Sequence, residues 1–155
     1  MIAESSSISP IILPMTRADV DSVYRIAEVS FPTSWSRESF EDELRNRWAV
    51  LRVIRPRSGE SVCGFSHFWL LGDGIQLHNI AVLPRARRCG YGRALLDDMI
   101  EIARARGVKE AWLEVRRSNL AAIGLYQRVG FEKAGVRPRY YSDNDEDALT
   151  MTLTI

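Results

Sequence analysis

The sequence predicts an α/β fold with a mixed, mostly antiparallel central sheet flanked by about four helices, and three observations carry that prediction. Three strand-like runs, WAVLRVIRP, SVCGFSHFWLL and GIQLHNIAVLP, follow one another between Trp48 and Pro84, separated only by the turn signals RSGE and GDG. Directly after Pro84 the apolar period lengthens from strand to helix, with Leu95, Met99, Ile102 and Ala103 on one stripe. From there to the C-terminus helix and strand patterns alternate, with no internal repeat or low-complexity linker to divide them.

Taken in order, MIAESSSISP is polar and Ser-rich without periodicity, so residues 1–10 are expected to form a loose tail ahead of a single domain over 11–155. After the apolar run IILP, Thr16 and Asp19 stand at capping-box spacing and Val20, Val23 and Ala27 share a face, which predicts a first helix over TRADVDSVYRIAEVSF. FPTSWS breaks it. Ser36 can cap a short second helix, SRESFEDELRN, in which Phe40 and Leu44 are four residues apart. The three strands that follow, joined by short turns, make an antiparallel meander. The next helix begins at Ala94 and stops at Gly107 after about four turns. KEAWLEVR reads as a strand, NLAAIGLYQRVG as a helix closed by Gly130, and FEKAG and DALTMTLTI as a final strand pair.

Composition narrows the function classes. A chain of 155 residues, 46% hydrophobic and 26% charged, can bury a substantial core. Lys and Arg number 21 against 20 Asp and Glu, so net charge points neither to nucleic acid nor to an anionic membrane. Cys63 and Cys89 lack CxxC or Cys/His spacing, which argues against a disulfide framework and a zinc site, and for a reducing cytoplasm. No window approaches the roughly 18 unbroken apolar residues of a membrane span, and the N-terminus lacks the order of a signal peptide. His67 and His78 are isolated in separate strands and read as satisfied structural histidines, with no metal expected.

The densest chemical signal is RRCGYGRALL, Arg87 to Leu96. It follows a strand and the Pro84 break and leads into a helix, where amides without intrahelical partners cluster. Gly90 and Gly92 let a ligand approach the backbone, and Arg87, Arg88 and Arg93 add charge to the positive helix end, so a pyrophosphate fits. The plain alternative is a tight turn beside solvated arginines. A Rossmann motif would want Gly or Ala at position 95, where the chain has Leu95, and a Walker A loop would want Gly-Lys-Ser/Thr. Both are excluded.

Arg87-x-x-Gly90-x-Gly92 is similar to the Q/R-x-x-G-x-G/A signature of the GNAT superfamily, the GCN5-related N-acetyltransferases. HNIAVLPRARRCGYGRALL, WLEVRRSNLAAIGLYQRVGF and RPRYYSDNDEDALTM, with FPTSWSRESF upstream, resemble the ribosomal-protein-alanine N-acetyltransferases within it. The resemblance implies acetyl-CoA as cosubstrate, its pyrophosphate on the loop of Arg87, Arg88, Cys89, Gly90, Tyr91, Gly92 and Arg93. It implies a splayed strand at Ile80, Ala81 and Val82 whose backbone pairs with pantetheine and the acetyl carbonyl. The implied acceptor is a protein N-terminus, that of a small-subunit ribosomal protein, with no direct nucleic-acid or membrane partner.

Acetyl transfer to an amine needs the amine neutral, the oxyanion stabilised and the thiolate protonated. An α-amine, with a reference pKa of about 8, needs only a mild base. Glu114, inside AWLEV, reads from pattern alone either as an outward-facing polar residue or as a carboxylate at a wet cleft; the resemblance makes it the general base. Tyr126 reads alone as a core tyrosine; the resemblance makes it the general acid beside the CoA sulfur. Asn119 caps its helix by position, and the resemblance adds a hydrogen bond to pantetheine. Cys89 as a nucleophile lacks a His partner within reach. RPRYY is a surface hairpin or part of the acceptor wall, where the resemblance brings Tyr140 or Tyr141 to the substrate. A small-molecule amine acetyltransferase and a non-catalytic CoA-binding module are the competing readings, since fold and cofactor do not fix the acceptor.

Overall fold

Each β-rich run finds its partner next to it in the chain until Val82, and the exceptions after that point create the site. A computed structural model describes residues 9–33 and 35–155; most of the N-terminal segment expected as a tail lies outside the described residues. Strand β1 (Ile11–Pro14) leads into helices α1 (Val20–Ser30) and α2 (Arg37–Glu43), the meander β2 (Ala49–Arg55), β3 (Gly64–Leu71) and β4 (Gly74–Val82), then helix α3 (Tyr91–Ala105), β5 (Glu110–Arg116), α4 (Leu120–Val129) and the hairpin β6 (Glu132–Tyr141) and β7 (Glu146–Thr154). The seven strands form one sheet in the order β1-β2-β3-β4-β5-β7-β6, antiparallel except between β4 and β5.

Local signals account for most boundaries. The Asp19 carboxylate accepts the Thr16 N–H at 2.9 Å, and the Ser36 hydroxyl accepts the Ser39 N–H at 3.1 Å, as the two capping patterns require. IILP is an edge strand on β2. Two expectations need correction. Helix α3 starts at Tyr91 rather than Ala94, because Gly90, at φ +80°, turns its carbonyl to accept the Ala94 N–H at 3.0 Å and thereby starts the helix three residues early. Strand β6 runs past FEKAG to Tyr141, because β7 offers a partner as far as Glu146.

The two faces of the sheet carry separate cores. Leu96 and Met99 of α3 and Ile123 and Tyr126 of α4 pack with Ile75, Leu77, Leu113 and Val115. Val23, Ile26 and Phe40 of α1 and α2 pack with Leu51, Val53, Phe65 and Ala81 on the other face. Some thirty buried apolar side chains, the larger ones worth roughly 1.5–3 kcal/mol of transfer free energy apiece, hold the helices to the sheet. Arg52 of β2 grips Asp98 of α3 in a fork, both bonds 2.9 Å, which ties α3 to the far strands.

Candidate active site

The sheet opens where β4 gains one residue. Phe68 lies opposite Leu77 and His67 opposite Asn79, so His78 is an inserted bulge residue. Pairing of β4 with β5 runs from Gly74 and Glu110 to Leu77 and Leu113 and extends no further. Beyond it β4 stays with β3 to Val82, and β5 stays with β7 to Arg116. The edges of residues 78–82 and 114–116 therefore face each other across a gap, with backbone groups available to a ligand laid between them. Side chains of Ile80 and Val82 pack toward α3 and Ala81 toward α1 and α2, so this stretch offers its backbone.

The gap leads to the N-terminus of α3. Amides of Tyr91, Gly92 and Arg93 precede the first intrahelical bond, and Arg88 and Gly90 both adopt left-handed backbone, at φ +63° and +80°. Unpaired amides at the start of a helix suit an anion. Gly92 has a second reason to be glycine: a Cβ there would stand 3.0 Å from Leu125 Cδ2, so α3 and α4 approach closely at this point. Not every arginine of the loop faces outward unengaged. Arg87 Nε donates to the Val82 carbonyl at 3.1 Å, while Arg93 bonds Asp97 at 3.1 Å and the Arg128 carbonyl at 3.4 Å. Arg88 forms no ion pair among the described residues, and the exposed Cys89 thiol lies 3.7 Å from the Arg87 carbonyl.

Glu114 and Tyr126 lie on opposite faces of the sheet. Ala111, Leu113 and Val115 point into the α3–α4 core, so Glu114 alternates to the α1–α2 face, one residue beyond the end of the β4–β5 pairing. Its side chain is 11% exposed and 3.6 Å from Arg137 Nε of β6. Tyr126 sits on α4 at 6% exposure, its ring edge-on to Phe131 at 5.8 Å. Burial pushes its phenol well above the ordinary range, so it carries its proton at neutral pH. Tyr141 ends β6. Its phenol is pushed up to about 12 by burial, against the pull of the Arg116 guanidinium, which lies 4.0 Å from its ring; Tyr140 and the Glu114 and Glu146 carboxylates add to the rise. Asn119 does cap α4, its side-chain oxygen accepting the Ala122 N–H at 3.2 Å.

The histidines depart from expectation. They are not isolated, for their rings stack at 5.2 Å between β3 and β4. His67 is fully buried and satisfied at both nitrogens: Nε2 meets the Glu43 carboxylate at 2.5 Å, and Nδ1 accepts from Asn79 at 3.0 Å. Burial pushes His67 below its ordinary value despite Glu43. The Glu43 carboxyl is itself raised by burial, but bonds from Trp69, Asn46 and His67 outweigh this and leave it below the usual range. His78 is not satisfied. Its Nε2 is buried with no partner among the described residues, and burial, with His67 beside it, pushes it down to about 4. Neither this cluster nor the Arg137–Glu114 pair was visible in sequence, since Glu43, Arg137 and their partners lie 24 and 23 residues apart with no local motif. Among the described residues no group of three or more His, Cys, Asp or Glu side chains could hold a metal ion, and no helix is long and apolar enough to cross a membrane.

Residues 20–131 match the acetyltransferase (GNAT) family. The ribosomal protein bS18-alanine N-acetyltransferase of Escherichia coli is 37% identical over 139 residues, covering 88% of this chain and 92% of that protein. The crystal structure of the ribosomal-protein-S18-alanine N-acetyltransferase from Escherichia coli superposes with a TM-score of 0.85 at 35% identity, over 95% of this chain and 94% of its own. Ard1 from Thermoplasma volcanium gives 0.86 at 30% identity, over 96% and 99%. The mixed, mostly antiparallel sheet with its four helices is the fold these structures share.

Proposed function

This chain belongs to the acetyltransferase (GNAT) family, and from that premise we propose that it moves the acetyl group of acetyl-CoA to the N-terminal α-amine of a protein, the alanine of a small-subunit ribosomal protein. The observation that carries the reading is the opening of the sheet beyond Leu77 and Leu113, with Glu114 on one lip and the amide-rich start of α3 at its end. Acetyl-CoA supplies an acyl group already activated as a thioester. The start of α3 holds the pyrophosphate chiefly through backbone amides, with Arg88 beside it, while Arg87 and Arg93 brace the loop. The backbone of Ile80 to Val82 lines up the pantetheine arm as an added strand and receives the charge that develops on the acetyl oxygen. Asn119 keeps its amide nitrogen for the same arm while its oxygen caps α4.

Glu114 takes the proton from the α-ammonium, directly or through a water, and passes it to solvent. The neutral amine attacks the acetyl carbon, and as the N–C bond forms and the C–S bond breaks the nitrogen gives its second proton to the same carboxylate. Tyr126 gives its proton to the departing thiolate from the opposite face of the sheet. No acyl-enzyme is needed; the two substrates meet in one complex, and positioning does much of the work. The activity is a cytoplasmic one on this reading. Its test is steady-state acetylation of an N-terminal hexapeptide panel beside lysine peptides and free amino acids. Turnover confined to peptides with a free N-terminal alanine supports the proposal, and equal turnover of free amino acids or none at all refutes it.

A further inference from the structure

We infer that Arg137 is a resident counter-ion of Glu114 which the incoming ammonium must displace, so that this competition sets how readily different amines enter the site. The inference rests on Glu114 lying at the acceptor site. A carboxylate only 11% exposed is held in place by whatever cation reaches it. Arg116, two residues along the same strand face, is committed elsewhere: it bonds Asp143 at 2.9 Å, Asn144 at 3.2 Å and Glu146 at 3.4 Å, and lies over the Tyr141 ring. Among the described residues Arg137 is the cation that reaches Glu114. In the ladder Arg116 faces Ala148 and Ala148 faces Arg137, so all three share one sheet face. The small Ala148 side chain leaves Arg137 room to reach one pleat back to Glu114.

Its grip is loose. The 3.6 Å separation exceeds the 2.7–2.9 Å of a charge-assisted hydrogen bond, and the Arg137 side chain is 59% exposed. Its aromatic neighbour, the Tyr140 ring, is 5.6 Å away. The strand is irregular just beyond it, with a register shift between Arg137 and Tyr141 and Arg139 at φ +52°. A side chain with so few restraints gives way to a compact ammonium that offers three donors to the same carboxylate. While the site waits, the guanidinium keeps Glu114 paired and raises the threshold for amines that bring no further contacts.

The test is calorimetric binding of a hexapeptide that begins with alanine, in the presence of CoA, to the parent, R137Q, R137K, E114Q and the E114Q/R137Q pair. R137Q is expected to tighten the peptide about three- to fivefold, the range an exposed ion pair supports, and R137K to bind like the parent. In the E114Q background the same change is expected to have no effect, since there is no carboxylate left to compete for. In turnover assays R137Q lowers KM rather than raising kcat, and lysine peptides gain more than alanine peptides. Weaker or unchanged binding in R137Q, or an equal gain in the E114Q background, overturns the inference. Should the parent acetylate the peptide while R137Q shows no gain, only this inference falls; should E114Q keep the parent's kcat, the role of Glu114 as base falls instead.

Discussion

Replacing His78 with phenylalanine should change how stability responds to acid, by an amount the structure sets. The His78 ring stacks on His67 and lies 4.4 Å from the Trp69 ring, and its buried Nε2 has no partner among the described residues. Burial holds the folded-state pKa down to about 4, against about 6.5 in an unfolded chain. The unfolded chain therefore takes up a proton that the folded protein refuses. Stability from the neutral ring is complete above pH ~6.5, declines as pH falls below it, and is exhausted near pH ~4. Between pH ~7 and pH ~5 this one group removes about 2 kcal/mol. Glu43 and His67 sit in the same cluster, with pKa values below their ordinary values, and both remain in the variant, so their contribution is common to the two proteins. Phenylalanine keeps the ring and the stack, and relieves an unpaired nitrogen worth about 1 kcal/mol at neutral pH. Urea unfolding followed by tryptophan fluorescence at the two pH values measures the difference. Parent and His78→Phe losing equal stability on acidification, to within about 0.5 kcal/mol, would refute the reasoning.

Glu114→Gln should lower kcat on an N-terminal peptide by about 10²- to 10⁴-fold while acetyl-CoA affinity, read by calorimetry, holds. Tyr126→Phe removes the proton donor and should lower kcat by about 10²-fold without moving the affinity for CoA. Asp98→Ala strands Arg52, whose side chain is 18% exposed, and should cost about 3 kcal/mol in chemical unfolding; Arg52→Met with Asp98→Leu recovers most of it. Gly90→Ala meets no atom within 4 Å but forces a Cβ into φ +80°, costing about 1 kcal/mol and weakening CoA binding. Gly92→Ala pushes on Leu125 at 3.0 Å and should cost a similar amount by separating α3 from α4.

The elements and their order are legible in the sequence, because each is written in residues that touch along the chain. Thr16 with Asp19, Ser36 with Ser39 and Gly130 after Val129 are contacts within four residues, and the turns RSGE and GDG leave the three strands no option but to fold back on one another. The arginine and glycine loop was legible for the same reason. What the sequence could not reveal was the insertion of His78 opposite β3, since a bulge is defined by pairing and not by composition. Beyond that one residue β4 no longer pairs with β5, and Glu114 and Tyr126 lie on opposite faces of the sheet. The crossover that puts β7 between β5 and β6 likewise decides that Arg137 meets Glu114, and the packing of α2 on β3 decides that Glu43 meets His67. Sequence alone determined the order of helices and strands and most of their bounds, because local sterics and periodicity act over a few residues, whereas the continuation of β6 through RPRYY waited on pairing with β7. Which charges face one another was decided only by tertiary structure, because Coulomb and hydrogen-bond energies depend on distances that the chain fixes only once the sheet has closed.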